Sequence, residues 1–148
     1  MRWITRQNVK ADRVACPWLI KRFIDPGAEF LFVPDAMRFS EVRLNHRGER
    51  CTFEVILEDY NLGDPALHRL GLIVRGADVQ GQEEFSPESL GLRAIAQGFA
   101  LSAHSDEERL AHKFPIYDAL LEYVRQSLSF DSRARSASSP PDLWRFFR

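Results

Sequence analysis

The sequence has little cysteine: two residues in 148, Cys16 and Cys51. Two cysteines cannot build a disulfide framework, and in a reducing compartment both are expected as thiols. No apolar run approaches the ~20 residues that span a bilayer, so no membrane partner is expected. The N-terminus, MRWITRQNVKADR, lacks the apolar core of a secretory signal, and a cytoplasmic location is expected. An excess of one charge is missing too. Twenty Lys and Arg against 21 Asp and Glu leave a formal net charge of −1. That balance excludes the overall basic excess of a typical nucleic-acid binder and leaves room only for a local basic patch. There is no CxxC, no GxSxG nucleophile elbow, no P-loop and no GxGxxG between a strand and a helix, which removes the motif-borne hydrolase, nucleotidase and dinucleotide readings. No internal repeat is visible.

What is present is globular composition, 45% hydrophobic and 28% charged, in a chain of one-domain length. The order of signals predicts an α+β fold, mostly helical, with a few short strands against a helical bundle. Trp3–Arg6 reads as a short strand. Asp12–Ile24 reads as a helix with an apolar stripe through Val14, Trp18 and Ile20–Phe23. Pro17 complicates that helix, because proline is tolerated in a first turn and not deeper. Either Asp12 caps and the helix bends near Pro17, or Pro17 is the first helical residue and Cys16 the cap. Asp25-Pro26-Gly27 is turn chemistry, and Glu29–Val33 (EFLFV) is a buried strand. Residues 34–45 are ambiguous, and His46–Glu49 reads as a loop. Cys51–Phe53 is a short strand, or Thr52 caps a helix running to Tyr60. Asp64-Pro65 starts a helix that ends near Gly76. Ser86 caps another, through Leu101. The acidic run after Ser105 opens a last helix to about Leu128, kinked or broken at Pro115. A domain over residues 1–128 is expected, followed by a flexible Ser/Arg/Pro-rich tail, 129–148, with an aromatic and basic end that docks on the domain or on a partner.

Several residues could carry chemistry. If the helix begins at Pro17, the Cys16 thiol faces unpaired backbone N–H groups, which lowers a thiol pKa and attracts anions. The plain alternative is a small buried residue beside Trp18. The run His46–Glu54 offers an imidazole, a thiol and two carboxylates. His46 and Glu54, with Asp78 as a distant third, are ligand types for a divalent transition metal, Zn, Fe or Mn. The plain alternative is a solvated loop with Glu54 as the acidic residue of a helix start. Glu88 is a weaker fourth. Arg75 to Asp78 could be no more than a helix end. Tyr117-Asp118 reads as a core tyrosine beside a surface acid, and His68, His104 and His112 as surface residues.

Together the motifs resemble a known family. Thr5-Arg6, the run from Asp12 through Asp25 (DRVACPWLIKRFID), Ala28-Glu29-Phe30, His46–Glu54, Asp64–Leu67, Ile73–Asp78 and Tyr117–Leu120 resemble the ChrB C-terminal domain family of chromate resistance. The resemblance spans about residues 3–125, and its strongest element is DRxACPWLIxRFIDP. It implies a role in chromate resistance or a related stress operon. Because similar domains occur fused to rhodanese-type modules, it also implies a free-standing unit of small-molecule or redox handling. No nucleic-acid partner is expected without a separate DNA-binding segment, and a homo-oligomer stays open. Chromate is a tetrahedral dianion, so its site would need N–H donors and fixed cations. A helix N-terminus with Arg6, Arg13 and Arg22, beside Asp12, would suit it. Cys16 is then the candidate catalytic thiol of an oxidoreductase. The rival reading is a ligand-sensing module that binds without turnover.

Overall fold

The computed structural model describes residues 2–6, 11–34, 51–79, 81, 86–102 and 104–136. Their order is β1 (Arg2–Arg6), α1 (Ala11–Leu19), a π-helical turn (Ile20–Ile24), β2 (Glu29–Val33), α2 (Thr52–Asp59), α3 (Pro65–Asp78), α4 (Glu88–Leu101) and α5 (Asp106–Ser136). The fold is mostly helical α+β, as the sequence predicts.

β1 and β2 pair in parallel, in register from Arg2 against Glu29 to Arg6 against Val33. Parallel partners need a long crossover, and α1 with its π turn supplies it. The result is a β-α-β unit with α1 leaving from the carboxyl end of β1.

α1 starts at Ala11 and contains Pro17 inside it. Proline there removes one i to i−4 hydrogen bond. The helix then widens rather than ending: the Asp25 N–H donates to the Ile20 carbonyl five residues back, at 2.7 Å. This corrects one of the two readings of the segment. Cys16 is not a cap, and Pro17 is not the first helical residue. Apolar contacts on both sides of the proline hold the helix together. Trp18 is fully buried. It stacks on Phe53, with centroids 6.4 Å apart and planes at 11°, meets Phe23 edge-on at 5.6 Å and lies 5.8 Å from Tyr117. This aromatic cluster joins α1, α2 and α5.

Cys51 is the N-cap position of α2, so the stretch from Thr52 is helix and not strand. α3 begins as Asp64-Pro65 dictates: the Asp64 carboxylate accepts the Ala66 N–H at 2.8 Å. α2 and α3 approach most closely at Gly71, where a Cβ would sit 3.4 Å from both Glu54 and Phe53 side-chain carbons. α4 ties itself to α3 by polar contacts. Ser89 donates to the Ile73 carbonyl at 2.8 Å. Arg93 donates to the carbonyls of Ala77 at 3.0 Å and Gly76 at 2.8 Å, which satisfies the carbonyl end of α3 with a cation. The cap of α4 is Pro87, not Ser86; the Ser86 hydroxyl donates to the Glu88 carboxylate instead.

α5 opens with a capping box between Ser105 and Glu108. It runs unbroken through Pro115 to Ser136, so the serine/arginine stretch after Leu128 begins as exposed helix. Residues 137–148, with the aromatic end, lie outside the described residues. Its buried stripe is Leu110, Lys113, Tyr117, Leu121 and Val124, the spacing of a core-facing helix with one cation in it. No helix among the described residues is long and apolar enough to cross a membrane.

Candidate functional site

The β-α-β unit places three of the candidate anion-binding residues in one neighbourhood. Arg6 is the last residue of β1. Asp12 and Arg13 stand in the first turn of α1. All three therefore border the connection from the carboxyl end of a parallel strand to the amino end of a helix. In open parallel sheets that edge is where ligands bind, and the helix end presents unpaired N–H groups.

Arg22 belongs elsewhere. Its Nε and one terminal nitrogen donate to the two carboxylate oxygens of Asp118 at 3.0 and 2.9 Å. The Trp18 indole N–H donates to the same carboxylate at 2.8 Å, and the guanidinium lies over the Phe114 ring, 5.7 Å from its centroid. Arg22 holds the Asp118 carboxyl below the ordinary carboxylate range, with Trp18 adding to the effect. The Arg22 pKa is raised, through its hydrogen bond to Asp118 first of all. Arg22 is thus half of a fork that fastens the π turn to α5. Sequence reading missed Asp118 as its partner, since nothing local in Tyr117-Asp118 points across 96 residues.

The thiols are both inside. Cys16 is 2% exposed and Cys51 is fully buried, and both are reduced. Cys16 sits in a helix interior, so it lacks the helix-end field that would activate it.

The proposed metal ligands are only partly described. His46 lies outside the described residues. Glu54 is the third residue of α2. One of its oxygens accepts the Cys51 N–H at 3.0 Å, and the other pairs with the Arg75 guanidinium at 3.7 Å. Asp78 is the last residue of α3. No group of three or more His, Cys, Asp or Glu side chains among the described residues is arranged to hold a metal ion. Glu54 also borders an open cleft of ≈ 550 Å³ between α2 and the start of α3, with Glu58, Asn61, His68 and Arg69 on its walls and Leu57, Leu62 and Leu72 among its lining. The His68 ring N–H faces the Leu62 carbonyl at 2.9 Å, which commits that nitrogen.

A further group was read from sequence as surface. His104 and His112 meet edge-on, 5.2 Å between centroids, and Phe99 lies 6.4 Å from His112. Next to His112 in sequence, Lys113 is 2% exposed. A lysine at an apolar stripe position was the available signal, and helical periodicity alone carries it.

A family model described as "ChrB, C-terminal domain" matches residues 3–124 of this chain. A curated relative, "Protein ChrB" of Cupriavidus metallidurans (strain CH34), is 38% identical over an alignment of 148 positions, covering 93% of this chain and 41% of the relative. The chain therefore spans less than half the length of that relative. No solved structure matches it.

Proposed function

The chain belongs to the ChrB C-terminal domain family, and from that premise we propose that it is a chromate-resistance domain that binds a small oxyanion, chromate first, at the carboxyl edge of its parallel strand pair. The observation that carries this reading is the placement of Arg6 at the end of β1 and Arg13 in the first turn of α1. Both residues are arginines, placed by the backbone at a strand end and at a helix start. Backbone N–H donors and the positive end of the dipole would meet a tetrahedral dianion there, with the arginines as the expected counter-charge.

The reading is one of binding rather than turnover. Reduction of chromate needs an electron donor at the site, and the buried position of both thiols argues against their serving as one. A stoichiometric binder passes its signal to a partner or to a longer chain. The metal reading, with a divalent transition metal on His46, Glu54 and Asp78, has less support. Its central ligand already accepts a backbone N–H and faces an arginine, whose positive charge opposes a bound cation.

Calorimetric titration of the protein with chromate, and with sulfate as a redox-inert analogue, tests the proposal. Binding of an equivalent that the Arg6→Ala/Arg13→Ala protein lacks, without loss of hexavalent chromium, supports it. Equal binding by an Arg6→Ala/Arg13→Ala protein removes it.

A further inference from the structure

Lys113 occupies a core position on α5 and is almost wholly buried. Its ammonium lies 5.1 Å from the centroid of the Phe99 ring and has no hydrogen-bond acceptor among the described residues. One turn earlier on the same face, Arg109 is in the same condition at one atom. Its two terminal nitrogens face Asp106 at 3.5 Å and the Ser102 carbonyl at 3.4 Å, but the buried Nε has no acceptor among the described residues. Buried donors are nearly always satisfied, and a buried ammonium without an acceptor is costly.

The charge count at this corner is also unbalanced. Arg109 and Lys113 supply two permanent or near-permanent cations. Among the described residues Arg109 pairs with the carboxylate of Asp106, both side chains 14–15% exposed. The next acid, Glu108, turns to the Ser105 N–H at 2.8 Å and to His104 at 3.7 Å. Among the described residues one positive charge is left over, beside the Phe99 ring. A buried excess cation with unmatched donors is complementary to a small anion. The Lys113 pKa is lowered to about 8, by burial first and then by Arg109, as expected for a cation lacking a counter-ion.

We infer that the corner between α4 and α5 is a second oxyanion site, in which the Arg109 Nε and the Lys113 ammonium donate to two oxygens of one small anion. It is separate from the site at the β1–α1 edge, since both of its donors are residues of α5. The class of ligand is a compact oxyanion such as sulfate, phosphate or chromate. A spherical halide could not accept from both donors through two separate atoms.

Inorganic sulfate is the probe. The protein is titrated in a gluconate buffer of fixed ionic strength, as wild type, Lys113→Met, Arg109→Gln and Arg6→Ala/Arg13→Ala. The expected result is two equivalents in wild type and one in each variant, with chloride failing to compete at equal ionic strength. Loss of the same equivalent in Lys113→Met and Arg109→Gln covers the case in which either variant alone misfolds. Sulfate binding unchanged in both Lys113→Met and Arg109→Gln overturns the second site while leaving the first standing. Loss of an equivalent only in Arg6→Ala/Arg13→Ala has the same meaning. Loss only in the α5 variants upholds the second site and overturns the first.

Discussion

Trp18 and Asp118 are 100 residues apart in sequence and 2.8 Å apart in space, the indole N–H donating to the carboxylate. Arg22 closes the same carboxylate from the other side through two nitrogens. Two of the sequence motifs, CPWLIKRF and YDAL, therefore meet in one polar clasp over an aromatic core. Much of what makes the first motif specific is structural: Trp18 fills the core, Pro17 and the π turn present Arg22, and Asp118 receives both donors.

Asp118→Asn should lower stability by about 1 kcal/mol, the scale of a partly exposed charge-assisted pair after solvent screening. The folded pKa of Asp118 is depressed, by Arg22 first. Its contribution is therefore present above the ordinary carboxylate pKa of about 4 and is lost as pH falls through the lower folded value. Urea unfolding at pH 7 and near pH 3 checks this: the difference between wild type and Asp118→Asn should be found at pH 7 and shrink at low pH.

Lys113 gives the opposite sign from a paired lysine. Its folded pKa is lowered from 10.5 to about 8, so the unfolded chain holds the proton more tightly. In buffer free of sulfate, phosphate and chromate, stability should rise between pH 8 and 10, by at most about 3 kcal/mol. Lys113→Met should be more stable than wild type at pH 7 and should lose that pH slope. Thermal unfolding in gluconate at the three pH values is the check, and saturating sulfate should flatten the wild-type slope as well.

The thiols should be slow. Cys16 and Cys51 are buried, so a thiol-reactive disulfide reagent should label neither at the rate of a free thiol in the native protein, and both once urea unfolds it. A Cys16→Ser protein should bind chromate as wild type does. Fast native labelling of Cys16 would restore the catalytic thiol.

Much of the fold was legible because its signals are local. EFLFV is a strand by composition, Asp64-Pro65 is a helix start by chemistry, and the acidic run after Ser105 opens α5. The α1 segment was harder. Pro17 ends most helices, and only the burial of Trp18 against Phe53 and Tyr117 explains why the helix continues. α5 ran past its expected end because a change in composition at Ser129 is not a helix stop: no Gly or Pro follows until Pro140. Of the candidate site, only backbone placement was legible: Arg6 at a strand end and Arg13 at a helix start. The Arg22–Asp118 fork and the Arg109–Lys113 pair depend on tertiary packing that no single-sequence pattern contains.

The metal reading makes a separate demand. With Glu54 held by Cys51 and Arg75, the purified, untagged protein should carry well under one equivalent of zinc, iron or manganese by elemental mass spectrometry, and His46→Ala should not change the value. One equivalent in wild type and none in His46→Ala would place a metal on this loop.

The most direct test of the central claim is chromate titration of wild type beside the Arg6→Ala/Arg13→Ala protein, with Lys113→Met as background so that only the β1–α1 edge is read. The account predicts one equivalent bound by Lys113→Met, at least a tenfold loss of affinity when the two arginines are also removed, and no reduction of chromium in either. Undiminished binding without Arg6 and Arg13 would contradict it.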